Sequence, residues 1–237
     1  MAVREDGCAV SHQSWGSGQT RDLVRHLALE NNRPVRTSTI IATLWPAVSE
    51  SRARASLRRS ASWVRRLLSR DCIIRAPGAM VLTGCWVDTE SFRTSSRGVQ
   101  AAMADHDPVQ ALVSGGEAGG LYRGDFQAHA DDSEWAVRER ASLQGVRHEM
   151  LTDAATCAIE TGGFREAVRY ATLAIDLDGS AQSAHLSLIR AHAELGDVHR
   201  SLAVYETYRV HLAEDYGADP SHEAQELHLS VLRGHFD

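Results

Sequence analysis

Arginine dominates the stretch from Glu50 to Arg70, which reads ESRARASLRRSASWVRRLLSR and holds seven arginines against one acidic residue, Glu50. Such side chains could bind a polyanion, because each guanidinium neutralises a phosphate and can also pair with the O6 and N7 atoms of guanine. The stretch has no glycine or proline, which suits an unbroken helix. Solvated helix faces usually mix charge signs, so a face of nearly one sign favours nucleic-acid contact over an ordinary surface helix.

Helical spacing divides this stretch into an apolar face, about 120° wide, and an arginine face. The apolar face comprises Ala53, Leu57, Ala61, Val64, Leu67 and Leu68. The arginine face has one row of Arg52, Arg59, Arg66 and Arg70 and a second row of Arg54, Arg58 and Arg65, with Ser62 and Ser69 between them. We predict that the residues facing a DNA groove are Arg58, Arg59, Ser62 and Arg66. The residues nearer the phosphate backbone are predicted to be Arg52, Arg70 and Arg75.

Other chemistries have weaker support. The sequence contains no lysine, which argues against a phosphate-binding P-loop and against a pyridoxal enzyme. Serine, histidine and aspartate are scattered without a G-x-S-x-G or H-E-x-x-H motif, so we expect no enzymatic activity. His185, His192 and His199 would share one face only on an unbroken helix, which Gly196-Asp197 should interrupt. We therefore expect neither a metal nor a cofactor.

Net charge divides the chain into two parts. Residues 1–85 carry 13 arginines against 6 acidic residues, a net charge of +7. Residues 86–237 carry 12 arginines against 25 acidic residues, a net charge of −13. A basic module followed by an acidic one suggests a nucleic-acid reader joined to a part that must not compete for the same ligand. Isolated cysteines, no signal peptide and no apolar run near about 18 residues predict a cytoplasmic protein.

The basic part has the pattern of three helices joined by short turns. Residues 1–19 form a lead-in with a hairpin signal at Asp6-Gly7. A first helix is predicted over Thr20–Glu30, with Thr20 as its N-cap, and a second over Ile40–Trp45. The arginine stretch supplies the third helix, and three helices in this order fit a helix-turn-helix core.

Thr37 and Ser38 precede the second helix and allow two interpretations. Either residue could be an ordinary N-cap. Alternatively, backbone N–H groups at this helix start could hold a DNA phosphate. The sequence favours neither.

Two short β-type runs, Cys72–Ile74 and Met80–Leu82, follow the third helix around a turn that holds Arg75. They predict a small β-hairpin, and helix-turn-helix plus hairpin is the winged-helix plan, in which the third helix enters the major groove. We therefore predict a winged-helix DNA-binding domain over residues 1–85.

Residues 86–237 have a helical pattern with an internal repeat. The segments Glu160–Val168 and Glu194–Leu202 align at an offset of 34 residues, which is the period of tetratricopeptide helix pairs, and a weaker copy starts at His106. A long helix is predicted from Glu134 to about Glu160, after a cap at Ser133. The predicted fold class is thus mainly α: an N-terminal winged helix-turn-helix with a small β-hairpin wing, then an all-α tetratricopeptide-like repeat domain.

Several spaced motifs together resemble one known family. They are Arg33-Pro34-Val35, Leu44-Trp45-Pro46, Ala55-Ser56-Leu57-Arg58-Arg59, Val64-Arg65-Arg66-Leu67-Leu68, Val87-Asp88 with Phe92, Leu121-Tyr122-Arg123-Gly124-Asp125, Trp135-Ala136, Ala184-His185 and Tyr216-Gly217-Ala218-Asp219-Pro220-Ser221. The chain is similar over residues 20–234 to the antibiotic-regulatory (SARP-type) activators of actinobacteria, which join an OmpR-type winged helix to a bacterial transcriptional activation domain.

The resemblance implies a transcription factor that binds direct repeats near promoters, recruits RNA polymerase holoenzyme and switches on a biosynthetic gene cluster, and it allows a homodimer on DNA. Larger relatives add an ATPase or a phosphopeptide-binding domain, and this chain resembles the small stand-alone type. The resemblance gives contact roles to Arg58, Arg59, Arg65, Arg66, Trp63 and Arg75. The whole predicted DNA-binding set is Thr37, Ser38, Arg52, Arg54, Arg58, Arg59, Ser62, Trp63, Arg65, Arg66 and Arg75.

The sequence allows two other functions, and it allows two roles for Trp63. The chain could be a tetratricopeptide-type interaction scaffold whose winged helix has degenerated, although the arginine face is intact. An RNA-binding antiterminator would favour exposed aromatics for stacking on bases, and only Trp63 lies near the arginines. Trp63 falls some 100° from the centre of the apolar face by helical spacing. It is either a residue at the edge of the core or a contact to a sugar or a thymine methyl group.

Overall fold

A computed structural model describes residues 12–127 and 133–234. The hairpin predicted at Asp6-Gly7 lies outside these residues. The described chain is mainly helical, with one small three-stranded sheet. Contacts divide the chain into two units, the first comprising residues 1–90 and 124–141 and the second residues 91–123 and 142–237.

The first unit starts, in its described part, with a short 3-10 turn, His12–Trp15, and helix α1, Gly18–Leu29. The N-cap of α1 is Ser17, whose hydroxyl accepts a hydrogen bond from the N–H of Thr20, so the prediction of Thr20 as the cap is wrong. The Thr20 hydroxyl is buried inside the unit, where it donates to Ser60 Oγ at 3.2 Å. Serine and threonine are both good N-caps, and Ser17 and Thr20 are only three residues apart. Residue type alone therefore could not decide which of them caps α1.

Helix α2 spans Thr37–Leu44, three residues earlier than predicted at its start. A two-residue strand, β1 (Val35–Arg36), leads directly into it, and its N-cap is Arg36 without a side-chain hydrogen bond. Neither Thr37 nor Ser38 is therefore the N-cap. The N–H of Thr37 donates to the carbonyl of Gly78 at 2.8 Å. This bond satisfies the first N–H of α2 in place of a capping side chain.

Helix α3 spans Glu50–Leu67, so the arginine stretch is a helix as predicted, ending three residues before Arg70. Two strands follow, β2 (Ile73–Ala76) and β3 (Ala79–Leu82), and they pair antiparallel with Ile73 opposite Leu82 and Ala76 opposite Ala79. The turn between them is Pro77-Gly78, with Gly78 at φ +70°, a conformation that glycine adopts easily. Strand β1 adds to the other edge of β3, so the strand order is β1-β3-β2.

One apolar core holds these elements together. Helix α3 contributes its buried face, α1 and α2 pack against it, and the sheet closes it. The largest fully buried side chains of this core are Leu23, Leu27, Ile40, Leu57, Val64 and Ile73. Burying each such side chain contributes about 1.5–3 kcal/mol, so the core fixes the orientation of α3 about its axis.

The second unit contains seven helices in the described chain, two of which begin within the first unit. They are α4 (Asp88–Ala104), α5 (Pro108–Leu121), α6 (Glu134–Glu160), α7 (Phe164–Leu177), α8 (Gln182–Glu194), α9 (Val198–Tyr216) and α10 (His222–Arg233). The predicted bounds of α6 are confirmed. No helix of residues 12–127 and 133–234 is both long and apolar enough to span a bilayer.

The predicted 34-residue repeat is visible in backbone geometry. Gly162 and Gly196 both adopt positive φ, +74° and +78°, at the turns that follow α6 and α8. Each turn closes with the same pair of bonds. The N–H of the glycine donates three residues back, at 3.1 and 2.9 Å, and the next N–H donates five residues back at 2.8 Å in both turns. His106, where the weaker copy was predicted, adopts φ +56° in a turn with the same two bonds.

Candidate nucleic-acid interface

Helix α3 separates its residues as the sequence pattern predicts. Its buried residues are Ala53, Leu57, Ser60, Ala61 and Val64. Its exposed residues include Arg52, Arg54, Arg58, Arg59, Ser62, Trp63 and Arg66. The first unit thus presents a continuous helix face whose cations point to solvent, and the apolar core behind it prevents the helix from rotating that face inward.

Among residues 12–127 and 133–234, acidic side chains hardly neutralise this face. Arg54 forms an exposed i,i+4 pair with Glu50, with Nη2 2.7 Å from Oε1. An exposed pair of this kind contributes only about 0.3–0.5 kcal/mol, so Arg54 can exchange Glu50 for a phosphate at small cost. Arg59 donates to the hydroxyl of Ser56 at 3.2 Å, which orients its guanidinium without neutralising it.

Arg65 differs from the other arginines of the helix. It is half-buried, and its Nε and Nη2 groups both donate to the backbone carbonyl of Ile73, at 2.9 and 2.7 Å. The two bonds tie the end of α3 to the start of β2. Arg65 therefore has an evident structural role inside the first unit, which helical spacing alone did not indicate.

Trp63 is 41% exposed on α3. Its indole Nε1–H donates to the backbone carbonyl of Ser14 at 2.8 Å, across 49 residues of chain. The Cζ of Arg66 lies 5.1 Å from the centre of its ring, a cation–π distance. These contacts hold the indole, and they leave both roles predicted from the sequence untested.

Arg75 and the start of α2 flank the arginine helix in the chain. Arg75 is exposed on β2, opposite Met80 and one residue before the strand ends. At the start of α2 the N–H of Thr37 is already bonded to Gly78, so it is not available to a phosphate. Ser38 is exposed at the second position of α2.

Sequence reasoning missed Arg36, which is exposed in β1 and is the N-cap residue of α2. A cation at that place is next to the N-terminus of α2, where the helix dipole would attract a phosphate. The signal was available, because an arginine directly precedes the two hydroxyl residues Thr37 and Ser38.

Metal-binding clusters are absent from residues 12–127 and 133–234. His185 and His192 are buried in α8, and burial lowers the pKa of each below its ordinary value of 6.5. His185 stacks on Tyr208, with ring centres 4.2 Å apart, and shares a hydrogen bond with the carbonyl of Gly179 at 2.9 Å. His199 is exposed on α9, beyond the break at Gly196. These histidines are packing and surface residues of the helical repeat.

Comparisons with known proteins identify a family for residues 87–232. The family model described as bacterial transcriptional activator domain matches residues 87–232. The regulatory protein AfsR of Streptomyces griseus is 27% identical over 222 residues, which are 93% of this chain and 23% of AfsR. AfsR of Streptomyces coelicolor is 25% identical over 221 residues, 92% of this chain and 22% of that protein. The chain thus spans less than a quarter of the length of these curated relatives.

A solved structure is similar over nearly the whole chain. It is Mycobacterium tuberculosis EmbR in complex with a low affinity phosphopeptide, with a TM-score of 0.80 and 24% identity. The similarity covers 98% of this chain and 62% of that one. At this level of identity the likeness concerns the fold.

Proposed function

The chain belongs to the bacterial transcriptional activator domain family, as an activator of the antibiotic-regulatory type, and from this premise we propose that it binds promoter DNA sequence-specifically through α3. The observation that carries the proposal is the exposed, nearly one-signed arginine face of that helix. Residues 87–232, which match the family model, do not include α3, so the DNA-reading role of the first unit is an addition to the family assignment.

The first unit has the order of elements that a winged helix requires. Helices α1 and α2 support α3, and the β2–β3 hairpin follows it as the wing. In such folds the third helix lies in the major groove, where base edges differ most. An apolar core that fixes the rotation of α3, and a solvent-facing arginine row, are what that docking needs.

The predicted DNA-binding residues divide into those exposed to solvent and those already bonded within the protein. Arg58, Arg59, Ser62 and Arg66 are exposed on the helix face, and we assign them to the groove. Arg52, Arg54, Arg70 and Arg75 are exposed nearer the ends of the helix or on the wing, and we assign them to phosphates, together with Ser38 and its neighbour Arg36. Arg65, Trp63 and Thr37 are each committed to a contact within the protein. We assign them to the support of the interface.

The arginine charges determine the expected DNA affinity and its dependence on salt. Each phosphate neutralised by arginine contributes about 0.9 to the slope of log K against log salt concentration, so affinity should fall steeply as salt rises. One arginine paired with a guanine edge adds about 1–3 kcal/mol of discrimination between bases. Phosphate contacts therefore supply most of the affinity, and one or two groove contacts supply most of the sequence preference.

We assign the second unit to protein interaction. Its helix pairs repeat at the tetratricopeptide period, and its net negative charge keeps it from competing for DNA. By family resemblance its partner is RNA polymerase holoenzyme, and the sites on DNA are direct repeats near promoters of a biosynthetic gene cluster, read by two copies of the chain. Such a protein acts in the cytoplasm, where the chromosome is.

Gel retardation with selected DNA tests the proposal. Random duplexes are first enriched on the wild-type chain, and the selected duplex is then titrated with the double variant Arg58→Ala, Arg66→Ala. Specific retardation should be lost while far-UV circular dichroism stays unchanged. The matched control removes two exposed arginines of the second unit, Arg165 and Arg190, and should bind like wild type.

Three results would contradict the proposal. Specific binding that survives in the Arg58, Arg66 double variant would exclude the groove assignment. Failure of the wild-type chain to enrich any duplex would favour the scaffold function, since a degenerate winged helix would not select DNA. Enrichment of single-stranded RNA over duplex DNA in a parallel selection would favour the antiterminator.

A further inference from the structure

Trp63 lies three residues before Arg66 on α3, at a spacing that brings side chains together on one helix face. The Arg66 guanidinium lies over the indole, with Cζ 5.1 Å from the ring centre. We infer that Trp63 is a positioning residue: its indole holds the Arg66 guanidinium in place for a base contact and does not itself contact DNA. The inference rests on the proposed function, because Arg66 is assigned there to the groove.

Two contacts keep the indole in one place. Its N–H donates to the Ser14 carbonyl at 2.8 Å, which uses the one hydrogen-bonding group of the side chain. Gly16 packs against the ring so closely that a Cβ there would lie 3.2 Å from Cε2 and 3.3 Å from Cζ2 of Trp63. Gly16 also has φ +69°, so both its backbone and its contact suit glycine. The turn before α1 thus fixes a ring that would otherwise rotate.

A fixed ring matters because an arginine side chain has many rotamers, and binding DNA restricts them to one. Stacking on the indole restricts Arg66 before DNA arrives. Cation–π contacts at exposed sites have a strength that corresponds to about a two- to five-fold change in affinity. We therefore expect Trp63→Ala to weaken specific binding about two- to five-fold, without removing a charge that meets phosphate.

Base preferences separate positioning from direct contact. Duplexes that vary one base pair at a time are titrated with full-length wild type, Trp63→Ala, Arg66→Ala and the double variant. Arg66→Ala should abolish the preference at one position in each repeat, and Trp63→Ala should weaken the preference at that same position. In the double variant, Trp63→Ala should have no further effect, because its action passes through Arg66. Trp86, which is 71% exposed in the same unit, provides the control Trp86→Ala, which should change nothing.

The conservative variant Trp63→Phe covers the case in which the alanine variant does not fold. It keeps an aromatic ring and lacks the N–H that bonds Ser14, so it should retain the Arg66-dependent preference better than Trp63→Ala does. Additive losses in the double variant, or a preference lost at a different base pair, would overturn the inference and make Trp63 a direct contact.

NMR of the free protein gives a readout that needs no DNA. The δ protons of Arg66 should be shifted upfield by the indole in wild type, and Trp63→Ala should remove that shift. Absence of the shift in wild type would overturn the inference whatever the DNA results. If the wild-type chain enriches no duplex, the proposed function fails, and the NMR shift alone decides whether Trp63 orders Arg66.

Discussion

Arg65 and Arg66 are neighbours in sequence, and their contacts predict opposite effects of the same substitution. Arg65→Met keeps the apolar stem and removes two hydrogen bonds to the Ile73 carbonyl, of 2.9 and 2.7 Å. Hydrogen bonds to charged groups contribute about 1.5–3 kcal/mol, and partial exposure of Arg65 reduces that contribution. We expect the free energy of unfolding of the first unit to fall by about 1–2 kcal/mol, which lowers its Tm by roughly 5–10 °C.

Tryptophan fluorescence measures the unfolding of the first unit. All five tryptophans, Trp15, Trp45, Trp63, Trp86 and Trp135, belong to the first unit, so their emission during urea unfolding of the full chain follows that unit. The same titration on Arg66→Met should lower the free energy of unfolding by no more than about 0.5–1 kcal/mol, since its side chain is exposed and stacks on Trp63.

For DNA binding we expect the opposite: Arg66→Met should have the larger effect and Arg65→Met the smaller one. Arg66→Met should reduce the slope of log K against log salt by about 0.9 if its guanidinium meets a phosphate, and should cost about 1–3 kcal/mol of base discrimination if it meets guanine. Arg65→Met should leave both quantities near wild type. Equal destabilisation by the two substitutions, or a salt slope changed by Arg65→Met and not by Arg66→Met, would refute the assignment of Arg65 to support and Arg66 to DNA.

Three further predictions concern the second unit. Gly196→Ala should cost about 1–2 kcal/mol because φ is +78°, whereas Gly116→Ala, in α5 with open space around it, should gain about 0.5–1 kcal/mol; chemical denaturation followed by circular dichroism measures both. Burial lowers the pKa of His185 below 6.5, so the unfolded chain takes up that proton first and stability should fall as pH drops below 6.5. His185→Gln should make that fall shallower. Burial raises the pKa of the Cys157 thiol to about 11, so iodoacetamide at pH 8 should label it slowly in the native protein and quickly in urea, as mass spectrometry would show.

Local patterns in the sequence predicted most elements of the fold. Helix α6 has its predicted bounds, and the turns at Gly162 and Gly196 recur at the predicted period, with a positive φ that glycine adopts easily. The starts of α1 and α2 were wrong. At α1 the cap is the neighbouring Ser17, and the Thr20 hydroxyl bonds to the buried Ser60 instead. At α2 the cap position is Arg36, and the N–H of Thr37 bonds to the Gly78 carbonyl.

The candidate site also has features that the sequence predicted and features that it could not predict. Exposure of Arg58, Arg59 and Arg66 could be predicted, because it depends only on helical periodicity and on which face is apolar. The commitment of Arg65 to Ile73 could not, because it depends on how the hairpin docks on α3. The bond from Trp63 to Ser14 joins residues 49 positions apart, and no pattern within α3 indicates it.

Methylation protection tests the central claim most directly, because dimethyl sulfate modifies guanine N7 in the major groove and adenine N3 in the minor groove. On the selected duplex, the wild-type chain should protect guanine N7 atoms in each repeat, and Arg66→Ala should restore reactivity at one of them. Protection confined to adenine N3, or guanine protection that the Arg58, Arg66 double variant retains in full, would show that α3 does not read the major groove.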